Sequence, residues 1–200
     1  SLTYQQGKDM SKLFLNVNYE ITFKGRNRGI DIRFFAGTFL NNTNSYPYLY
    51  RMSGQKGSQD YLFDNYYMGR NEYGNFLSKQ FTETDGALKV YTPLGQTNNW
   101  LTALNIKSSL PLIRFPLRFF VDFGMIPKEG SIFNKETFFY DGGITFSLVN
   151  DICEVYFPLF MSKDIKANLE LNKISYGESI RFTLNLNMAN PFKLIKDFSF

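Results

Sequence analysis

The chemistry open to this chain is bounded first by a residue it lacks. It has no histidine, which removes HExxH zinc sites, Ser-His-Asp triads and Cys-His pairs together. A few stretches remain that could hold or act on a ligand. Asp141 stands beside Gly142-Gly143, which suits either a carboxylate site or a strand bent and packed close to its neighbour. Gly25-Arg26-Asn27-Arg28-Gly29 loosely resembles a phosphate cradle, but no helix follows it, so a tight hairpin is the simpler reading. Asp64-Asn65-Tyr66-Tyr67-Met68-Gly69-Arg70 gathers a carboxylate, two phenols and a guanidinium. Within it, Asp64, Tyr66, Tyr67 and Arg70 are the best candidates for a specific loop contact. The alternative is an aromatic belt in which Arg70 pairs with Glu72 or a headgroup. Cys153, the single cysteine, falls on an apolar face and reads as a small hydrophobe. No paired carboxylates stand out for acid–base work. The sequence therefore indicates no catalytic residue, no metal site and no cofactor.

A second set of charges has a different arrangement. Glu20, Asp31, Arg33, Lys107, Arg118, Asp122, Asp141, Glu154 and Arg181 lie in segments where apolar and polar residues alternate, each on the polar side. From Glu178 to Met188, Ile180, Phe182, Leu184, Leu186 and Met188 alternate with Arg181, Thr183, Asn185 and Asn187, the signature of a two-faced strand. Leu13, Leu15, Val17, Tyr19, Ile21 and Phe23 do the same against Asn16, Asn18, Glu20 and Thr22. Leu117, Phe119, Val121, Phe123 and Met125 alternate with Arg118, Asp122 and Gly124. Besides its charges, the polar face carries Gly37, Gly124, Gly143 and Ser147 with several Asn and Thr. Charges of both signs crowded in a low-dielectric lumen need partners, so ion pairs across strands are expected, forming a plug more readily than a selective pore.

These elements compose an all-β chain: an antiparallel up-and-down transmembrane β-barrel of about 8–10 strands, either complete in itself or part of a larger barrel. Residues 1–12 read as a lead-in, 41–59 as a long mobile loop, and 189–200 as a tail after Asn190-Pro191. Residues 61–73 fit either a strand or an aromatic loop on the rim. Residues 75–82 and 87–92 suggest a hairpin about Asp85-Gly86. In the polar stretch 162–177, Ile165, Ala167, Leu169 and Leu171 alternate like a further strand, and no helix-period segment competes. Turns at 25–29, 83–86, 110–116 and 149–151 are short and fall on one side, with long connections on the other. The 22 Phe and 13 Tyr exceed what a soluble domain needs but suit a lipid band with aromatic girdles. A mean hydropathy of −0.26 is compatible with alternating strands. No apolar run reaches the roughly 18 residues of a helical span. The net charge of +4 is spread without a basic stripe, so nucleic acid is not expected as a partner.

Several short pieces stand in order along the chain: 64–70, Asn99-Trp100-Leu101-Thr102-Ala103-Leu104-Asn105, Tyr140-Asp141-Gly142-Gly143-Ile144, Glu154-Val155-Tyr156-Phe157-Pro158-Leu159 and Asn190-Pro191-Phe192. Together they resemble the C-terminal region of large Bacteroidota outer-membrane proteins that carry an aminopeptidase-N-like zinc metallopeptidase domain upstream. The resemblance implies a membrane-embedded region of a Gram-negative outer membrane, attached to or derived from a peptidase. No zinc ligand can be carried over to a chain without histidine. The terminal Phe200 is similar to the signal read by the outer-membrane assembly machinery. The expected function is a non-catalytic barrel that anchors or positions a peptidase-like or other partner, with outer-membrane lipid around it. A small-solute pore and a soluble lipid-binding β-barrel are the alternatives.

Overall fold

The computed structural model describes residues 1–23, 29–43, 48–109, 116–128, 137–149 and 152–186. In chain order they form β1 (Leu2–Gln6), β2 (Met10–Thr22), β3 (Gly29–Asn42), β4 (Tyr50–Arg51), β5 (Gln96–Thr97), β6 (Trp100–Ser109), β7 (Leu117–Met125), β8 (Phe138–Val149), β9 (Cys153–Met161), helices α1 (Lys163–Leu171) and α2 (Tyr176–Ser179), and β10 (Arg181–Leu184). Eight strands make one meander in the order β1-β2-β3-β6-β7-β8-β9-β10, every neighbour antiparallel. Among the described residues this sheet is open, with β1 and β10 at its edges. β4 and β5 form a separate pair inside the long connection between β3 and β6, hereafter the insert.

Period two governs the sheet. In β7, Phe120, Asp122 and Gly124 are buried, while Phe119 and Met125 are exposed. Across the ladder, Arg33, Asn105, Asp122 and Asp141 occupy one continuous row, so the polar positions of successive strands share a face. That polar face is the covered one. The insert folds back over it, and Tyr50, Met52, Leu88, Val90 and Leu94 pack against Phe35, Leu101, Ala103 and Phe139 of the sheet. The apolar face is left uncovered: Leu15, Val17, Phe34, Phe119 and Leu148 are exposed, as is Leu159 at 59%. Gly124 permits this arrangement, because a Cβ there would lie 2.0 Å from the Met52 sulfur. A side chain at Gly124 would displace the Met52 side chain from this contact.

Several expectations are corrected. Residues 1–12 are not a lead-in. Leu2–Gln6 pairs with Ser11–Leu15 of β2, which itself starts at Met10. The alternation at Ile165, Ala167, Leu169 and Leu171 belongs to helix α1, not to a strand. Ile165 and Leu169 are four apart, so a helix puts both on one face, and both join the core. The run from Glu178 is strand only at Arg181–Leu184, and residues 187–200 lie outside the described ones. Its start is taken by α2, where Ser175 N–H and Oγ both donate to Glu178 Oε2, at 2.7 and 2.8 Å. This is a capping box that competes with extension.

The stretch 41–59 includes the last residues of β3 and, farther on, packed chain: Leu49, Tyr50, Met52 and Ser53 are buried. Residues 75–82 and 87–92 do not form a hairpin. Thr82 instead exchanges backbone bonds with Gln55, and Leu88 N–H donates to Met52 O. Asp85 and Ala87 adopt positive φ of 50° and 53°, which turns the chain away from a ladder. Residues 61–73 contain no strand.

The connections β2–β3, β6–β7 and β8–β9 share one end of the sheet. The insert and the segment carrying α1 and α2 share the other. Of the expected short turns, 83–86 joins no two strands of the sheet, because it lies within the insert. The turn residues 24–28, 110–115 and 150–151 lie outside the described ones.

Candidate functional site

The covered face holds an apolar zone and a charged zone. Where β3, β6, β7 and β8 run side by side, Arg33 Nη1 donates to Asn105 Oδ1 at 2.8 Å, and Asn105 Nδ2 donates to Asp122 Oδ1 at 2.9 Å. The same Asn105 amide reaches Gly86 O of the insert at 2.9 Å. Asp141 lies directly across from Asp122 and accepts the Val90 N–H at 2.7 Å. Farther along the strands, Lys107 Nζ donates to Glu154 Oε2 at 2.8 Å. Arg118 pairs with Asp31 and stands 3.8 Å from Glu154, which also accepts from Ser147 at 2.9 Å.

The insert contributes the pieces that complete this network. Lys89, fully buried, sits 3.0 Å from Glu83 and 3.5 Å from Asp122. Glu83 also faces Lys107 at 3.5 Å and accepts the Tyr156 hydroxyl at 2.9 Å. Burial alone would raise the Glu83 carboxyl, but Lys107 and Lys89 outweigh it and hold it below the usual carboxylate range. Asp85, which accepts the Arg51 N–H at 3.3 Å, is instead raised by burial. Arg181, also buried, donates to Lys89 O at 3.3 Å and Gly54 O at 3.1 Å, with its guanidinium 4.0 Å from the Phe81 ring centre. Desolvated ions are retained only when paired and hydrogen-bonded, and most members of this set are both.

Eight of the nine expected network residues come together here: Asp31, Arg33, Lys107, Arg118, Asp122, Asp141, Glu154 and Arg181. Glu20 does not. It faces Asp31 in register at the exposed end of β2, and among the described residues no ion pair includes it. Sequence reading missed Glu83, Lys89, Asn105 and Tyr156. Nothing local marks the first two, because their meaning depends on where the insert lands.

Two members of the loop set, Arg70 and Tyr67, are engaged within the insert. Arg70 pairs with Asp60 at 3.0 Å, not with Glu72, and donates to Asn65 O at 2.6 Å. Tyr67 is buried, with its hydroxyl donating to Gln55 O at 2.9 Å. Both residues therefore brace the insert. The Asp64 N–H donates to Asp60 Oδ1 at 3.3 Å, and Tyr66 remains exposed. Asp141 with Gly142-Gly143 marks a register shift against β9, where a Cβ on Gly143 would meet Phe157 O at 2.1 Å. That is the close-packing reading. The rest of the cradle-like stretch before Gly29 lies outside the described residues. Cys153 is half-buried on the uncovered face, in register with Leu184.

As a whole, the arrangement clamps the insert to the sheet with ions on one side and aromatic packing on the other. Among the described residues no group of three or more His, Cys, Asp or Glu is placed to hold a metal ion. Comparison with family models, characterised proteins and solved structures yields no match.

Proposed function

We propose that this chain is the membrane-embedded, non-catalytic β-barrel region of an outer-membrane protein, and that it anchors or positions a partner domain. One observation carries the reading: the sheet is inside-out for a water-soluble protein. Arg33, Asn105, Asp122, Asp141, Lys107 and Glu154 lie on the covered face, while Leu15, Val17, Phe34, Phe119, Leu148 and Leu159 form an uncovered apolar face. Water disfavours such a face and acyl chains favour it. A soluble lipid-binding barrel would keep its apolar residues around a cavity. Here the covered face is crossed by Arg33, Asp122, Lys107 and Glu154 instead. The seated insert favours an anchor over a solute pore, because backbone and side chains occupy the space a pore would need. The resemblance to peptidase-linked outer-membrane proteins supplies the partner class, a peptidase-type domain.

The test is reconstitution. The chain should require detergent, partition into liposomes, and leave planar bilayers without ion conductance. Phe119→Arg should destabilise the bilayer-inserted form by about 2–4 kcal/mol, the cost of a cation on the lipid face of a barrel. A protein that stays monomeric and folded in buffer without detergent ends the membrane reading. Steady conductance would replace the anchor with the pore.

A further inference from the structure

Among the described residues, one edge of the sheet is bare. Ser1 N–H donates to Asn16 O at 2.7 Å, Asn16 N–H donates back to Ser1 O at 2.9 Å, and Gly7 N–H donates to Met10 O at 2.8 Å. Bonded pairs in an antiparallel ladder recur at every second residue. Thr3 and Gln5 therefore face β2, and the backbone groups of Leu2, Tyr4 and Gln6 point away from it. Among the described residues nothing meets those groups. Edges meant to stay unpaired are usually blunted by charge, proline or a bulge. Leu2-Thr3-Tyr4-Gln5-Gln6 has no charge and no proline.

β10 does not supply the missing neighbour. Its outer side is taken by the insert, where Phe81 N–H donates to Phe182 O at 3.0 Å and Phe76 stacks on Phe182 at 4.6 Å. Nor could eight strands close around this insert, since an eight-stranded barrel has room only for side chains or one small ligand. The insert is a chain of over forty described residues with its own backbone. Its remaining surface exposes Phe63 at 72% and Tyr73 at 84%, as expected of a plug covered by a wall on one side only.

We propose that the outer edge of β1 is a joint that receives an antiparallel, amphipathic β-strand from a further segment of barrel wall. That strand would set apolar residues beside Leu2 and Tyr4, on the lipid side, and small or polar ones beside Thr3 and Gln5. The proposal rests on the membrane reading above, because hydrocarbon leaves no water to satisfy an open edge. A second copy of this chain is not the occupant. It would bring a second insert along with its eight strands, so the shortage of wall around each insert would remain.

The probe is a synthetic peptide with the sequence of residues 10–22, which has the required alternation, added to the chain in lipid nanodiscs. Amide exchange at Leu2, Tyr4 and Gln6 should be fast without peptide and protected with it. Tyr4→Pro should abolish that protection while leaving the amides of Thr3 and Gln5 slow, since the Tyr4 N–H takes no part in the β1–β2 ladder. Unchanged exchange at the three edge amides in the presence of peptide overturns the joint. Protection without peptide, together with disulfide-linked dimers of a Tyr4→Cys variant in a Cys153→Ser background, also overturns it, in favour of a second copy. If the chain fails to enter lipid but its edge still takes the peptide in detergent, the joint stands and the membrane reading falls.

Discussion

Replacing Lys89 by methionine tests whether charge pairing seats the insert. Methionine keeps most of the side-chain length and deletes the charge, so packing changes little. Asp122, fully buried, would keep the Asn105 amide at 2.9 Å but lose its cation, whereas Glu83 would keep Lys107 at 3.5 Å. Removing one partner of a buried pair typically costs about 3–5 kcal/mol. With Glu83 still served, the lower end applies, about 3 kcal/mol. If that loss falls on the docking of the insert, its open population rises roughly 150-fold, since 1.4 kcal/mol is tenfold. Chymotrypsin cleavage after Tyr50 or Leu88, both buried in the folded chain, reads that population directly when opening and closing are fast. Asp122→Asn in the same background should recover about 1–3 kcal/mol as interaction energy, because it removes the stranded carboxylate. Cleavage within about threefold of wild type, or a double variant equal to the sum of the singles, would refute the reasoning. The packing of Tyr50, Met52 and Val90 alone would then hold the insert.

Gly124→Val should loosen the insert through its clash with Met52, by about 1–3 kcal/mol, while Gly177→Val, which meets nothing, should leave cleavage after Tyr50 unchanged. Lys56 has its amine pushed down to about 8 by burial and by nearby Arg181. Its folded value lies below the unfolded one of about 10.4, so stability should rise with pH between the two. In pulsed acylation at pH 8 followed by mass spectrometry, Lys56 should react ahead of exposed Lys163 and Lys166, and a slower rate would count against it. Glu83 has the same sign in a more acidic window. Its folded value is depressed, so its contribution is complete above the unfolded value of about 4.3 and drains as pH falls below it. Protection of Tyr50 from chymotrypsin's acid-stable counterpart, pepsin, should decline on acidification, and Glu83→Gln should flatten that decline.

Local pattern made the sheet legible and much of the insert illegible, for one physical reason. A strand declares its two faces at every second residue, so Leu117–Met125 and Met10–Thr22 could be read without knowing what lay beside them. The same rule put Asp122, Asp141, Lys107 and Glu154 on a common side before any register was known. It misled at Ile165 and Leu169, where a spacing of four serves a strand or a helix equally and packing against the core chose the helix. It was silent at Glu83 and Lys89, which lie on irregular chain with no period to read.

The sequence by itself therefore determined an antiparallel, two-faced sheet with its ions gathered on one side. Only the tertiary structure decided which face is covered, that the covering is the chain between β3 and β6, and that Lys89 answers Asp122. Those depend on the fit of surfaces far apart in the chain, such as Met52 over Gly124 and Tyr50 against Phe35, and no local spacing encodes such a fit.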